Sequence, residues 1–177
     1  MRALEAASEL GLASWCIGAG AIRNLVWDHL HGFDRQTQAE DIDLVFHDTS
    51  DLTPELERSL ASALARQVPT LEWDVVNQAR VHLWLPTPLG LPVAPLTSLV
   101  EGVASWPEVA TCVGVTLNAS GTMEVIAPHG LDDLFDMVVR WNPRRVSKKV
   151  FLERVIEKRF AERWPKVKIE TDRDGPT

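Results

Sequence analysis

Tyrosine is absent from the 177 residues, and there are only two cysteines, three methionines and no run of eighteen uncharged apolar residues. Without such a run no transmembrane helix is expected. Cys16 and Cys112 stand alone and far apart, which gives neither a disulfide frame nor a zinc motif. They read as reduced, buried thiols of a cytoplasmic protein. The first residues, MRALEAASELGLASW, place acids where a signal peptide would be apolar, so export is not expected. Basic residues are also scarce over most of the chain. Residues 1–139 hold 6 Lys and Arg against 19 Asp and Glu, a net charge of −13. A general duplex-DNA binder would be basic overall, so that class is disfavoured.

The missing basic charge is concentrated near the C-terminus. Residues 140–168 carry 11 Lys and Arg against 3 Glu, a net +8, and the chain as a whole has −7. The length suits one domain, and 45% apolar residues suffice for a real core. We divide it into a core at 1–141, a basic helical segment at 142–168 packed on it, and a disordered tail at 169–177. The mixed order of helical and strand patterns gives an α+β fold with a mixed sheet and flanking helices.

Residues 15–17 read as a strand ending at Gly18, and a helix runs from about Gly20 to Gly32. Ile22, Leu25, Val26 and Leu30 form its apolar face. A polar loop at 34–40 leads to a strand at 41–47. Thr53-Pro54-Glu55 opens a helix to about Arg66, and 71–76 is again a strand. Residues 79–85 fit a strand or a helical turn, and the proline-rich 86–95 is a loop. A helix at about 96–104 precedes a hairpin, 111–117 and 122–127. Gly130-Leu-Asp-Asp opens a helix to about Trp141. Ser147 caps a basic helix to about Arg163, with Leu152, Val155, Ile156 and Phe160 as its buried stripe.

Strand side chains alternate, so Asp41 and Asp43 share one face, with α-carbons about 6.6 Å apart. Their mutual repulsion is relieved by a shared hard cation. Magnesium, or manganese in its place, suits an all-oxygen site completed by water and phosphate. A third carboxylate comes from LEWDVV, residues 71–76. Asp74 is preferred, with Glu72 as the substitute. Upstream, the turn Gly18-Ala19-Gly20 opens a helix whose free N–H groups and partial positive charge form an anion seat. No Gly-Lys-Ser/Thr follows, so this is not a P-loop. Two acids on one strand face would not flank a glycosidic bond, which disfavours a glycosidase.

These stretches resemble the DNA polymerase β-type nucleotidyltransferase superfamily, in which a Gly-Gly or Gly-Ser turn opens a helix, Asp-x-Asp follows on a strand and a third carboxylate comes later. AGAIRN with EDIDLVF is similar to the tRNA CCA-adding and poly(A) polymerase branch. The chain as a whole resembles a family of small bacterial nucleotidyltransferase proteins. The matching stretches are GAGAIRNLVWDHLHGF (18–33), DIDLVFHD (41–48), EWDVVNQARVH (72–82), the segment from WPE to TCVGV (106–115), APHGLDDLF (127–135) and the basic helix ending in RWP (163–165).

The resemblance implies a minimal nucleotidyltransferase core that transfers a nucleoside monophosphate from an NTP to an acceptor hydroxyl and releases pyrophosphate. Asp41, Asp43 and Asp74 would hold two Mg²⁺ ions and catalyse, Asp74 helping to activate the acceptor. Gly18, Ala19 and Gly20 would seat the triphosphate, with alanine where the superfamily has its first glycine. That departure keeps open a binding or regulatory module without turnover. Arg23 would touch phosphate or pair with a nearby Asp. In NQARVH, Arg80 is a phosphate or acceptor contact, with Asn77, Gln78 and His82 beside it. Trp27 or Trp141 would stack on a base if any of the seven Trp does. Lys148, Lys149, Lys158 and Arg159 are candidates for the triphosphate. The acceptor, whether small molecule, protein or RNA end, stays open.

Overall fold

The computed structural model describes residues 1–34, 37, 41–85 and 94–171. Helix α1 (Arg2–Ser8) buries Leu4, Ala6 and Ala7 and leads to β1 (Trp15–Gly18), buried along its length. The chain turns at once into α2 (Ala19–His31), which stops at Gly32. Gly32 sits at φ 68°, a left-handed conformation that glycine adopts without a steric penalty. Strand β2 (Ile42–Phe46), α3 (Pro54–Gln67) and β3 (Trp73–Asn77) follow. A 3-10 turn (Gln78–Leu83) resolves the ambiguous stretch as helical. Helix α4 (Leu99–Ala104) and a second 3-10 turn (Val109–Thr111) precede the hairpin β4 (Gly114–Leu117) and β5 (Met123–Ile126). The chain ends through α5 (Asp132–Phe135), β6 (Val138–Arg140), α6 (Lys148–Lys158), α7 (Phe160–Arg163) and β7 (Lys168–Glu170).

Five strands make one mixed sheet in the order β3-β2-β1-β4-β5, and β6 pairs with β7. Strand β1 runs antiparallel to both neighbours, while β2 and β3 are parallel, joined by a crossover through α3 as parallel strands require. Their register sets Asp43 directly beside Asp74. One sheet face, with Trp15, Ile17, Leu44, Phe46 and Val75, packs on α1 and on Leu64 of α3. The other face puts Cys16 and Val45 under Leu99, Val103, Trp106 and Cys112. Asp43 alternates with Leu44, so it shares the face of Val45. Both cysteines are free and buried, and burial pushes each thiol up to about 12.

A third cluster ties the basic segment to α2. Trp27, Ala110, Val113 and Leu134 enclose Val146, Phe151, Phe160 and Trp164. Trp164 Nε1 donates to the buried Asp28 carboxylate at 2.7 Å, and Trp27 Nε1 donates to the Leu134 carbonyl at 2.8 Å.

Four expectations need correcting. The helix expected up to Trp141 ends at Phe135, Met137 takes φ 56°, and β6 begins at Val138, where β-branched residues favour a strand. The helix expected up to Arg163 breaks at Arg159, φ 52°. The disordered tail cannot begin at 169, because Ile169 and Glu170 pair with Val139 and Arg140; residues 172–177 lie outside the described residues. The buried stripe of α6 is centred on Phe151, while Leu152 is exposed and Ile156 is 76% exposed. The expected loops at 34–40 and 86–95 fall largely outside the described residues. Among the described residues, no helix is long and apolar enough to cross a membrane.

Candidate active site

Asp41, Asp43 and Asp74 line one cavity of about 360 Å³ on the sheet face that carries Val45. Two parallel strands and one alternation of side chains place them there. Glu72, two residues before Asp74 and on the same strand face by alternation, lies beyond the start of β3 and is exposed. It borders a neighbouring groove, which Asp41 also lines, and not this cavity. Burial, then the charges of Asp41 and Asp74, push the Asp43 carboxyl up to about 7; Arg23 and the Gly20 N–H oppose this without prevailing. Asp74 is raised too, by partial burial and by Asp41. Among the described residues, no three carboxylates, imidazoles or thiols are already drawn together as ligands of one ion. The hard oxygen donors of the three acids and the strain on Asp43 nevertheless fit a divalent cation.

The expected anion seat divides into separate roles. Gly18 is extended and does not line the cavity. A Cβ there would lie 2.6 Å from Trp106 Cη2 and 2.9 Å from the Val113 carbonyl oxygen, so its glycine serves packing. Ala19 lines the cavity at φ 50°. It thus holds the left-handed conformation that a glycine would adopt freely, at a cost of about 1–2 kcal/mol for a residue with a Cβ. The Gly20 N–H acts on Asp43, favouring its ionised form.

Arg23 lines the cavity and is buried. Among the described residues it forms no ion pair with an Asp. Its Nη2 donates to Asn24 Oδ1 at 2.8 Å, and its guanidinium lies 4.8 Å from the Phe160 ring centroid, 5.4 Å from Trp27 and 5.8 Å from Trp164. Burial lowers it to about 10. Arg80, by contrast, lies outside the cavity. It pairs with Glu57 at 2.6 Å and donates to the Leu52 carbonyl at 2.9 Å, so α3 takes it away from the site. Within NQARVH, Gln78 and the apolar Val81 line the cavity, and Asn77, Arg80 and His82 do not. Asn77 instead pins the loop after β2, donating to the carbonyls of Asp48 and Asp51.

Comparison with known proteins bears on this acidic cavity. The sequence profile of a nucleotidyltransferase family matches residues 5–169. The chain belongs to that nucleotidyltransferase family. A protein whose NMR structure reveals a CCA-adding enzyme head domain matches with a TM-score of 0.80 and 27% identity, over 95% of this chain and 87% of that one. A CCA-adding enzyme in complex with CTP has a TM-score of 0.56 and 15% identity. A tRNA nucleotidyltransferase complexed with a primer tRNA and an incoming ATP analog has 0.53 and 23%. These last two share the fold; each match covers 95% of this chain but only 38% and 46% of theirs. No curated protein matches the chain. The α+β expectation, a mixed sheet with flanking helices, holds for this nucleotidyltransferase.

The opposite wall of the cavity is cationic, and most of it was not anticipated. Arg145, Arg154, Lys158 and Arg163 line it, with Trp84, Trp106 and Glu108. Glu108 is buried and accepts from Arg154 Nε at 2.8 Å. Of the four C-terminal cations named from sequence, Lys158 lines the cavity, and Lys148, Lys149 and Arg159 do not. Lys149 is exposed beside Glu153, and Arg159 is exposed against Glu162. The available signal was spacing. Phe151, Arg154 and Lys158 recur at i, i+3 and i+7, one helical face. The two tryptophans expected to stack belong elsewhere. Trp27 is core, and Trp141 Nε1 donates to the Val146 carbonyl at 3.0 Å.

Proposed function

We propose that this enzyme transfers a nucleoside monophosphate from a nucleoside triphosphate to an acceptor hydroxyl in the cavity between β2–β3 and the basic segment, releasing pyrophosphate. One observation carries the reading: Asp41, Asp43 and Asp74 share a cavity whose facing wall is built of arginine and lysine. Likeness to structures that hold CTP or an ATP analog supports a triphosphate donor.

Asp41, Asp43 and Asp74 would hold magnesium or manganese, which when bound would neutralise phosphate charge and lower the pKa of the acceptor hydroxyl. The chain's own groups have separable tasks. The Gly20 N–H favours the ionised form of the Asp43 carboxyl. Asp74, more accessible than Asp43, lines the cavity, where it can accept the acceptor's proton. The guanidinium of Arg23, locked among three rings, adds fixed positive charge beside Asp43, where charge preorganised in a water-poor site counts most. The acceptor is a small molecule, a protein side chain or an RNA end.

The test is incubation with each NTP labelled at the α-phosphate, with Mg²⁺ and candidate acceptors, alongside calorimetry of the same NTPs. Label in the acceptor with pyrophosphate released supports transfer. Mg²⁺-dependent NTP binding with no transfer to any acceptor class, and no pyrophosphate exchange, favours a binding module instead. Ala19, with its Cβ at φ 50° in the turn that lines the cavity, is the observation that favours that second reading.

A further inference from the structure

The two halves of the cavity wall differ in how their charges are compensated. Arg154 has Glu108. Arg145, 8% exposed, has no carboxylate partner among the described residues, and its Nε is buried without a hydrogen bond. Its charged neighbour is Arg154, which adds to the burial that lowers it to about 10. A buried guanidinium with no counter-ion is a large desolvation penalty that folding does not ordinarily tolerate. The residue lines the same cavity as the three aspartates, and the field of Asp43 reaches Arg154. The missing negative charge therefore belongs to something that enters the cavity. The glycine turn is poorly placed to supply the whole anion seat, since Gly18 is outside the cavity and the Gly20 N–H already serves Asp43.

We propose that Arg145, backed by the Arg154–Glu108 pair, binds the polyphosphate of the donor nucleotide, so that the triphosphate spans from the aspartates to the C-terminal segment. This rests on the transfer reading above and adds where the β- and γ-phosphates go. It also explains why a segment of net +8 is joined to an acidic body: its cations at 145, 154, 158 and 163 turn inward onto a small polyanion. Guanidinium suits this role because its planar fork meets phosphate oxygens two at a time.

The experiment compares wild type with Arg145→Gln, using inorganic tripolyphosphate, NTPs and NMPs, each with Mg²⁺, by calorimetry and thermal melting. The expected result is that Arg145→Gln weakens tripolyphosphate and NTP binding by about tenfold or more, the range of one charge-assisted hydrogen bond, with NMP affinity kept within about twofold on the same physical ground. The melting temperature without ligand stays level or rises, because an unpaired buried charge has been removed. Unchanged tripolyphosphate affinity, an equal loss for NMP, or a lowered ligand-free melting temperature with NTP affinity kept would each overturn the proposal. The two readings fail separately. Transfer activity whose KM for NTP ignores Arg145→Gln leaves the enzyme and removes this seat. Tripolyphosphate binding lost in Arg145→Gln, with no transfer to any acceptor, leaves the seat and removes the enzyme.

Discussion

The two walls of the cavity are built from opposite kinds of sequence. The acidic wall comes from 34 residues, Asp41 to Asp74, and its geometry is set by strand alternation and one parallel register. The basic wall comes from residues more than 100 positions downstream of the glycine turn, and nothing local places it. Phe160 and Trp164 dock on α2, enclose Arg23 and so carry Arg154, Lys158 and Arg163 to the cavity. One wall acts through chemistry readable along the chain, and the other depends on a tertiary contact. Perturbing each should therefore fail differently, the first in activity without loss of stability and the second in both.

The largest separation should come from Asp43→Ala and Asp41→Ala. Losing a metal-holding carboxylate removes several kcal/mol of transition-state stabilisation, on the order of a thousandfold in turnover. Circular dichroism and melting should show the fold retained. Near wild-type transfer by either variant would remove that residue from the site.

Next is the docking contact. Trp164→Ala empties a fully buried site and strips a donor from Asp28, so denaturant unfolding should show a loss of about 3–5 kcal/mol. Transfer should fall as well, because Arg23 loses one wall of its enclosure. Leu25→Ala is the comparison within α2. Leu25 is 49% exposed, so its loss should stay within about 0.5 kcal/mol. Equal effects would mean that the apolar stripe read from sequence, and not the observed packing, is the true interior face.

That pair shows what could be read from sequence and what could not. The Asp-x-Asp strand, the turn before α2, the carboxylate at 74 and the proline-marked start of α3 are short-range patterns, and each appears where expected, although Thr53 gives its hydroxyl to Asp51 and not to the helix end. Both helices that face the cavity bury most deeply a face offset from the predicted stripe, of which Ile22, Val26, Leu30 and Val155 are partly buried and Leu25, Leu152 and Ile156 are exposed. The buried residues of α2 are Arg23, Asn24, Trp27 and Asp28, and α6 turns Phe151, Arg154 and Lys158 inward. Hydrophobic periodicity assumes that the buried face is apolar. A helix lining a charged cavity violates that assumption, so its most polar face is its interior face. Arg80 erred in the other direction. It lies beside the motif in sequence, yet Glu57, 23 residues earlier, captures it.

A smaller effect tests the strain on the acidic wall directly. Asp43 titrates near 7 in the folded chain against an ordinary 3.8. A raised carboxyl binds its proton more tightly when folded, so its contribution is fully present below about pH 4. It is lost as the pH rises through 7. Asp43→Asn should therefore melt above wild type at pH 8, by about 2–3 kcal/mol, with the advantage shrinking towards pH 5. Added Mg²⁺ should stabilise wild type more at pH 8 than at pH 5 and do little for the variant. A pH-independent difference between the two proteins would mean that Asp43 is not held near its neighbours' charges.

The smallest effect concerns the turn between the walls. Ala19 holds φ 50°, where a Cβ costs about 1–2 kcal/mol. Glycine removes that cost and adds about 0.5–1 kcal/mol of chain entropy in the unfolded state. Ala19→Gly should thus leave stability unchanged or raise it by up to about 1 kcal/mol, measured by urea midpoint. If the turn seats the phosphates, the freed backbone should also bring NTP affinity up. If Arg145 and its neighbours are the seat, affinity should not move while stability does. The response of NTP affinity to Ala19→Gly, set beside the response to Arg145→Gln, assigns the polyphosphate to one wall of the cavity or the other.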